Sequence, residues 1–244
     1  MRHLQVLHGD ALAVIPTLET DSVDALITDP PYSSGGQFRG DRALVTSKKY
    51  QQSDAVALPE FSGDNRDQRS WIMWMSIWLN ECRRVVKPGG FGCLFTDWRQ
   101  LPATTDALQA GGWVWRGIVP WDKVHARPMA GRFRAQAEYI VWGTNGPRPW
   151  NNAEPCHDGV FRFPSPSTAL REHMTQKPLE LMKKIVAIVP PGGTVLDPFL
   201  GSGTTAVACA ETGRRCVGVE MTEHFAAAAQ SRLNDYAPLF GAAS

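Results

Sequence analysis

The fold of this chain is decided by the stretch Val195-Leu196-Asp197-Pro198-Phe199-Leu200-Gly201-Ser202-Gly203-Thr204-Thr205. Its order predicts a buried strand, a loop containing glycines, and then the start of a helix. Gly201 and Gly203 let the backbone approach a ligand closely, and a helix start presents unpaired N–H groups to an anion. Glu220 follows Gly203 by seventeen residues and ends the next predicted strand. An acidic side chain there can accept hydrogen bonds from both hydroxyls of a ribose.

A second distinctive stretch, Asp29-Pro30-Pro31-Tyr32, follows the apolar run Val23–Thr28. Two adjacent prolines exclude helix and ladder pairing, and they bias the residue before each of them to an extended backbone. We therefore predict a stiff, exposed segment at the end of a strand. It offers a charged acceptor in Asp29, a neutral acceptor in the Pro30 carbonyl and a flat ring in Tyr32. Two acceptors beside a ring suit a planar base that carries an exocyclic amino group.

Strands and helices alternate along the rest of the chain, which favours an α/β domain with a parallel sheet. The predicted strands are 4–7, 23–28, 91–96, 113–121, 137–142, 194–196 and 215–219. The predicted helices are 11–18, 68–86, 101–110, 178–189, 204–211 and 223–235. We expect strands 113–121 and 137–142 to form an antiparallel pair that closes the sheet edge, and residues 87–90 to stop the helix before them.

Composition limits the classes of function. The 244 residues suffice for one full α/β core, and the formal net charge of +1 gives no global basic field. Five scattered cysteines without C-x-x-C favour reduced thiols and a cytoplasmic location. The six histidines form no H-E-x-x-H, so we expect no metal. The first residues lack the apolar core of a signal peptide, and no run approaches the ~18 apolar residues of a membrane span.

Residues 33–67 are predicted to form a long loop, whose first part, 33–52, holds four basic side chains against Asp41 alone; residues 116–148 hold six Lys or Arg against Asp122 and Glu138. A loop as long as the first is usually functional or mobile, with a solvated loop carrying chance charges as the alternative. The basic residues that we select are Arg39, Arg42, Lys48, Lys49, Lys123, Arg127, Arg132 and Arg134. We predict that they contact the phosphates of a nucleic acid.

Both distinctive stretches resemble motifs of the amino-group DNA methyltransferases, which methylate adenine N6 or cytosine N4. The tetrapeptide Asp29-Pro30-Pro31-Tyr32 is similar to their catalytic motif, and residues 197–205 strongly resemble their S-adenosylmethionine loop. The run His173-Met174-Thr175-Gln176-Lys177-Pro178 is similar to the segment that precedes this loop. Because the catalytic motif comes about 165 residues before the cofactor loop, the order resembles that of the circularly permuted β class.

The resemblance implies a Rossmann-like, S-adenosylmethionine-dependent methyltransferase fold, α/β in class and circularly permuted. Its sheet is expected to be mostly parallel with an antiparallel edge. A single methyltransferase domain is expected over residues 1–244, with target-recognition insertions at 33–67 and 122–172. The two motifs are expected to end neighbouring parallel strands, at the switch point where α/β sheets bind ligands.

The resemblance also implies the residues of the site. The catalytic residues are expected to be Asp29, Pro30, Pro31 and Tyr32. The cofactor-binding residues are expected to be Asp10, Ala11, Asp29, Lys177, Asp197, Phe199, Gly201, Ser202, Gly203, Thr204, Thr205, Glu220 and Met221. On this hypothesis Asp197 binds the cofactor's amino group, directly or through water, and Glu220 holds the ribose. The cofactor carboxylate is expected to meet Lys177 or the start of the helix that follows it. Asp10 has helix capping as an equal alternative, and Phe199 has plain core packing.

The implied activity is transfer of the methyl group of S-adenosylmethionine to adenine N6 of a base flipped out of double-stranded DNA. Family members whose tetrapeptide begins with Asp lean to adenine, and cytosine N4 is the alternative. A catalytically inactive DNA-binding protein that keeps the fold is the alternative from another class. No membrane partner is expected, whereas a homodimer and a cognate restriction enzyme are further partners that the family suggests.

Overall fold

The structure, a computed structural model, describes residues 4–32, 66–126, 128, 130–149, 151–165, 177–234 and 236. Its strands are β1 (Leu4–His8), β2 (Val23–Thr28), β3 (Val86–Thr96), β4 (Val114–Asp122), β5 (Ala137–Thr144), β6 (Phe161–Arg162), β7 (Thr194–Asp197) and β8 (Arg215–Glu220). Its helices are α1 (Ala11–Val14), α2 (Gln68–Val85), α3 (Leu101–Ala110), α4 (Leu179–Val186), α5 (Thr204–Glu211) and α6 (Glu223–Asn234).

All eight described strands belong to one sheet, in the order β1-β8-β7-β2-β3-β5-β4-β6. The first five strands of this order run parallel, and β5 is antiparallel to both β3 and β4. The predicted α/β class, with a mostly parallel sheet and antiparallel pairs, is therefore confirmed. The edge of the sheet beside β4 holds one strand, β6, that was not predicted. It pairs in parallel with Trp121 and Asp122 of β4.

Helices cover both faces of the sheet, since successive side chains of a strand point to opposite faces. In β2, Ala25 and Ile27 join one buried cluster and Leu26 joins the other. The first cluster includes Leu181, Met182, Val207 and Leu233 from α4, α5 and α6. The second includes Ala11, Trp71, Trp78 and Leu108 from α1, α2 and α3. The strands that carry both motifs are thus fixed between two layers of packed helices.

Two predicted boundaries differ from the structure for identifiable reasons. The helix predicted at 11–18 divides into α1 and the 3₁₀ turn Ile15–Thr17, because Pro16 has no N–H to continue an α-helix. Residues 87–90 do end α2, but β3 already begins at Val86, which pairs with Val23. The next pair is Phe91 with Ala25, so residues 87–90 form a bulge within the strand.

The five parallel strands end at one edge of the sheet, which we call the carboxyl edge. The tetrapeptide follows β2 at this edge. The loop of residues 198–203, which we call the glycine loop, follows β7. Since β5 is antiparallel to β3, with Tyr139 opposite Thr96, the first residues of β5 also lie at this edge. Residues distant in sequence can therefore meet around Asp29.

Candidate active site

A hydrogen bond joins the end of β2, just before the tetrapeptide, to the first residue of the cofactor motif of residues 197–205. β2 and β7 are neighbours, with Leu26 paired to Leu196. At their ends the Thr28 hydroxyl donates to Asp197 Oδ1 at 2.6 Å. Thr28 immediately precedes Asp29, and Asp197 immediately precedes the glycine loop. The predicted adjacency of the tetrapeptide and the loop is therefore confirmed, and Thr28 is a linking residue that sequence reasoning missed.

Both carboxylate oxygens of Asp29 accept hydrogen bonds from protein donors. The Tyr32 hydroxyl donates to Oδ1 at 2.6 Å, and the Lys177 ammonium donates to Oδ2. Burial raises the pKa of Asp29 above its usual value, although Lys177 acts in the opposite direction. The side chain is nevertheless 23% exposed, so a substrate can reach it from the carboxyl edge.

Lys177 is shared between two carboxylates. Its Nζ atom, in a side chain only 8% exposed, is paired with Asp29 and lies 3.6 Å from Glu138 Oε2. Burial lowers the pKa of Lys177, but Asp29 and Glu138 outweigh it and raise that pKa above its usual value. The structure thus engages Lys177 with protein carboxylates, and its predicted contact with the cofactor carboxylate stays a prediction.

Glu138 has no role in the sequence hypothesis, yet it completes this charge cluster. It is the second residue of β5, at the carboxyl edge, and its Oε1 accepts from Lys123 Nζ at 3.2 Å. Burial raises the pKa of Glu138, but Lys177 and then Lys123 reverse this effect, so the net direction is down. The only hint in the sequence to the role of Glu138 was that an acidic residue lies within a basic segment. Lys123, predicted to contact DNA, is held in this pair instead of extending freely.

The tetrapeptide is anchored to the helix layer. The indole Nε1 of Trp71, fully buried in α2, donates to the Pro31 carbonyl at 2.8 Å. Pro30 is buried, and the Tyr32 ring is half-buried. Burial and the Asp29 carboxylate raise the pKa of Tyr32 well above its usual value, so its hydroxyl remains a donor. The stiffness of this segment thus has a tertiary cause beyond its prolines, and the prediction that the segment is exposed is wrong, because it packs against the helix layer.

Asp197 is buried and satisfied by the protein. Its Oδ1 accepts from the Phe199 backbone N–H at 3.1 Å as well as from Thr28, and Thr205 also donates to the carboxylate. Burial raises the pKa of Asp197 to about 6, against the effect of these donors, and the neighbouring Asp29 raises it further. Its side chain is 2% exposed. Its binding to an amino group of a cofactor stays a prediction.

We expect Asp197→Asn to stabilise the ligand-free protein in a pH-dependent way. The folded pKa of about 6 lies above the usual 3.8, so the ionised carboxylate costs stability as pH rises through 6. Asparagine keeps the Oδ1 acceptor and removes this cost, which raises the free energy of unfolding by roughly 2–3 kcal/mol at pH 8. Urea unfolding of the wild type and the variant at pH 8 and pH 4.5 measures this change in the free energy of unfolding. A gain of equal size at both pH values contradicts the assignment.

The two glycines of the loop serve different purposes. Gly201 has φ +55° and Gly203 has φ +90°, both in the left-handed region. A Cβ added to Gly203 meets Ala229 Cβ of α6 at 3.0 Å, whereas one added to Gly201 has nothing within 4 Å. Gly203 therefore allows α6 to pack closely against the loop. Gly201 leaves open space above the carboxyl edge, which is consistent with the predicted ligand approach.

Glu220 and Asp10 lie together because β1 and β8 are neighbours, with the last residue of β1 opposite Glu220. Glu220 accepts from the backbone N–H groups of Gly201 at 2.9 Å and Thr222 at 2.8 Å. Asp10 Oδ1 accepts from the Leu12 N–H at 2.9 Å and caps α1. The capping alternative is therefore confirmed for Asp10. Its contact with the adenine of a cofactor, and that of Glu220 with a ribose, stay predictions.

The remaining predicted cofactor residues surround these groups. Phe199 packs against Trp74 and Trp78 of α2, with ring centroids 5.5 and 5.1 Å apart. The packing alternative is thus confirmed, and a contact between Phe199 and a cofactor stays a prediction. The buried members of the set are Ala11, Ser202, Thr204 and Thr205. Met221 is exposed at the end of β8.

Exposed cationic and aromatic side chains occupy the loop that joins β4 to β5. This loop lies at the carboxyl edge, because β4 ends and β5 begins there. Arg132 and Arg134 are exposed, and Phe133 between them is fully exposed. Sequence reasoning selected the two arginines but not Phe133. The predicted basic residues Arg39, Arg42, Lys48, Lys49 and Arg127 lie outside the described residues, as does nearly all of segment 33–67.

A second exposed aromatic side chain follows β3 at the same edge. Trp98 is 58% exposed, and the Arg99 guanidinium lies 5.1 Å from its ring centroid. Asp97 fixes the turn, since its Oδ1 accepts from the N–H groups of Arg99 and Gln100 at 3.0 and 2.9 Å. The exposed rings of Phe133 and Trp98, each beside an arginine, therefore lie at the carboxyl edge, where Asp29 also lies.

Two classes of site are not found in the described part of the chain. Within residues 4–32, 66–126, 128, 130–149, 151–165, 177–234 and 236, no helix is long and apolar enough to cross a membrane. Over the same residues, His, Cys, Asp and Glu side chains do not gather in threes that could hold a metal ion.

Comparison with known proteins agrees with this geometry. A family model described as DNA methylase matches residues 23–231. The chain is 26% identical over 257 aligned residues to the DNA adenine methyltransferase YhdJ of Escherichia coli (strain K12), covering 90% of this chain and 79% of that protein. The crystal structure of the M1.HpyAVI–SAM complex superposes with a TM-score of 0.68 at 26% identity, covering 95% of this chain and 99% of that one.

The cytosine-N4-specific PvuII DNA methyltransferase shares the fold, with a TM-score of 0.69 at 13% identity over 96% of this chain and 91% of that one. The chain thus resembles a protein named for adenine in its sequence and a protein named for cytosine N4 in its fold. The fold alone does not select the base.

Proposed function

This chain belongs to the DNA methylase family and is an S-adenosylmethionine-dependent DNA methyltransferase, and we propose that it methylates adenine N6 in double-stranded DNA. The observation that carries the proposal is the hydrogen bond between Thr28 and Asp197. It brings the acceptors of the tetrapeptide beside the glycine loop, as transfer from a cofactor in the loop to a base at Asp29 requires.

The residues at the carboxyl edge fit the cofactor. The open space at Gly201 leaves room for a ligand against the backbone. Asp197 is a buried carboxylate that can pair with an ammonium group, and Glu220 is a carboxylate that can accept from ribose hydroxyls. When bound there, S-adenosylmethionine supplies an electrophilic methyl group on a sulfonium.

Asp29 makes the amino group of the base a better nucleophile. The nitrogen lone pair is delocalised into the ring, and accepting hydrogen bonds at Asp29 and at the Pro30 carbonyl draws electron density back to nitrogen and fixes its direction. Positive charge then develops on this nitrogen as the methyl–sulfur bond breaks and the methyl group transfers, and Asp29 stabilises the charge where it develops. The nitrogen becomes neutral again when it loses one of its protons to water. Holding the reactants in line supplies several kcal/mol more, by general estimates for oriented reactions.

The amino group is unreachable inside a duplex, so the base must leave the stack at a cost of a few kcal/mol. Stacking on Tyr32 recovers about 1–3 kcal/mol, as on other base–aromatic platforms. The hydrogen bond from Tyr32 to Asp29 holds the ring beside the acceptors. Tyr32 therefore serves both to bind the base and to orient the carboxylate.

We assign the DNA-facing side to the exposed loop of Arg132, Phe133 and Arg134, together with Trp98. Arginines contact phosphates and fix the register on the duplex. Exposed rings can stack on bases or wedge between them where the duplex is opened. Target recognition by segments 33–67 and 122–172 within a single domain is part of the same proposal. A homodimer, a restriction partner and a cytoplasmic location stay predictions of the family resemblance.

Adenine is favoured over cytosine because the tetrapeptide begins with Asp and because the adenine-specific YhdJ is similar over most of the chain. Cytosine N4 is the second candidate, since the cytosine-N4-specific PvuII enzyme has the same fold.

The deciding experiment is expression of the protein in a host without endogenous adenine methylation. The host DNA is digested to nucleosides, which are identified by mass spectrometry. We expect N6-methyldeoxyadenosine. N4-methyldeoxycytidine as the product contradicts the choice of base. Cofactor binding without any methylated nucleoside favours the inactive DNA-binding protein instead.

A further inference from the structure

We propose that Lys177 is a positioning residue, which holds Asp29 oriented and ionised for the amino group of the base. Glu138 in turn determines how strongly the positive charge of Lys177 stabilises the ionised Asp29. This inference rests on the proposed function and adds two residues to it. Neither residue is required to touch the substrate. Both act through Asp29.

The orientation of Asp29 follows from its two donors. The Tyr32 hydroxyl donates to Oδ1 and the Lys177 ammonium donates to Oδ2. Two donors on the two oxygens fix both the position and the plane of a carboxylate. A carboxylate has about four lone-pair sites, so acceptor capacity remains for an amino group of the base. Lys177 therefore orients the Asp29 carboxylate and leaves some of its lone pairs available to the base.

The charge state follows from the neighbours of Asp29. Among the described residues, the titratable groups that interact with Asp29 or with its donor Tyr32 include Asp97, Glu138, Lys177 and Asp197, and Lys123 pairs with Glu138. Lys177 is the cation among the groups that act on Asp29, and Glu138 is the acid whose charge opposes ionisation of Asp29. The pKa of Asp29, raised by burial, therefore depends mainly on how completely the Lys177 charge compensates that burial.

Glu138 competes for that charge. Its Oε2 lies 3.6 Å from Lys177 Nζ, and its own negative charge raises the pKa of Asp29. Lys123 offsets this competition by pairing with Glu138 from the other side at 3.2 Å. Removal of Lys177 and removal of the Glu138 charge must therefore act on Asp29 with opposite signs. An ion pair with a purely structural role would not carry these opposite shifts into the pH dependence of kcat.

The test compares the pH dependence of kcat in the wild-type protein, Lys177→Met and Glu138→Gln, at saturating cofactor and DNA. Whichever methylated base the wild type forms serves as product. In Lys177→Met we expect the acidic limb of the profile to move up by about one pH unit or more, since a nearby opposite charge shifts a carboxyl by that much. The rate loss at pH 7 is then partly recovered at higher pH. In Glu138→Gln the limb moves down.

Two controls separate positioning from folding and from cofactor binding. Lys177→Arg keeps the charge and is expected to restore most of the wild-type profile. Calorimetric titration with S-adenosylmethionine is expected to give a dissociation constant within about twofold of wild type in Lys177→Met. Weaker cofactor binding with an unmoved pH profile overturns the inference in favour of the carboxylate contact predicted from sequence.

A second measurement does not need turnover. The ¹³C carboxyl resonance of Asp29, assigned by its loss in Asp29→Asn, is titrated in the three proteins. Its midpoint is expected to rise in Lys177→Met and to fall in Glu138→Gln. Unchanged midpoints overturn the inference even if the wild type methylates DNA. Absent turnover in the wild type counts against the proposed function alone, because these titrations still report on Lys177.

Discussion

Asp29→Ala is expected to lower the rate of methyl transfer by about a thousandfold, at the upper end of what removing one preorganised group costs. The structure gives two reasons for so large an effect. The variant removes the charged acceptor, and it leaves the buried Lys177 ammonium facing Glu138 alone. A tritiated-methyl assay under single-turnover conditions measures the rate. Cofactor affinity is expected to stay near the wild-type value, because the glycine loop is unchanged.

Two variants frame this result. Asp29→Asn keeps an acceptor oxygen and the hydrogen bond from Tyr32 but not the charge, so its rate is expected to fall between wild type and alanine. Asp106→Ala removes an exposed carboxylate from α3 and is the matched control, with no expected loss. Substantial turnover by Asp29→Ala, with folding intact, rejects Asp29 as the catalytic acceptor. An equal loss in Asp106→Ala points to the assay or to folding.

Local chemistry was enough to predict the components of the site. The prolines after Val23–Thr28 and the glycines after β7 each mark a strand end, and parallel strands bring such ends to one edge. That β2 and β7 are neighbours was implied by the family resemblance, because neither stretch alone determines the strand order. The Thr28–Asp197 bond shows how close the two stretches are.

The partners of Asp29 were less accessible to sequence reasoning. Tyr32 is three residues away and lies within the same tetrapeptide, but Lys177 is 148 residues away. Glu138 reaches the site only because β5 runs antiparallel to β3 and begins at the carboxyl edge. Contacts of this kind depend on strand order, which a single sequence does not encode locally. The family resemblance implied that Lys177 binds the carboxylate of the cofactor. In the structure, Lys177 is instead paired with the carboxylates of Asp29 and Glu138.

The first half of β3 shows the same limit for secondary structure. Pro88 and the glycines after it predict an end to α2, and the helix does end there. Their propensity argues equally against a strand, yet Val86 pairs with Val23 before the bulge. Pairing with a buried neighbour thus overrides local propensity, because β2 needs a hydrogen-bonding partner on this side along its whole length.

Gly201→Ala is expected to weaken S-adenosylmethionine binding by at least tenfold, while the protein stays folded. The left-handed φ of +55° costs an alanine roughly 1–2 kcal/mol of stability. The added methyl meets no protein atom within 4 Å, so any larger effect falls on the ligand that occupies the open space. Calorimetric titration with S-adenosylmethionine and urea unfolding together measure both quantities.

Two other glycines make the result interpretable. Gly213 has φ +69° and equally open surroundings, but it follows α5 at the opposite edge of the sheet. Gly213→Ala therefore carries the same backbone cost and is expected to bind the cofactor as wild type does. Gly203→Ala adds contact with Ala229 at 3.0 Å, so its loss is mainly in stability, about 1–3 kcal/mol beyond the strain. If Gly201→Ala and Gly213→Ala bind the cofactor equally well, the open space at Gly201 is not where the cofactor lies.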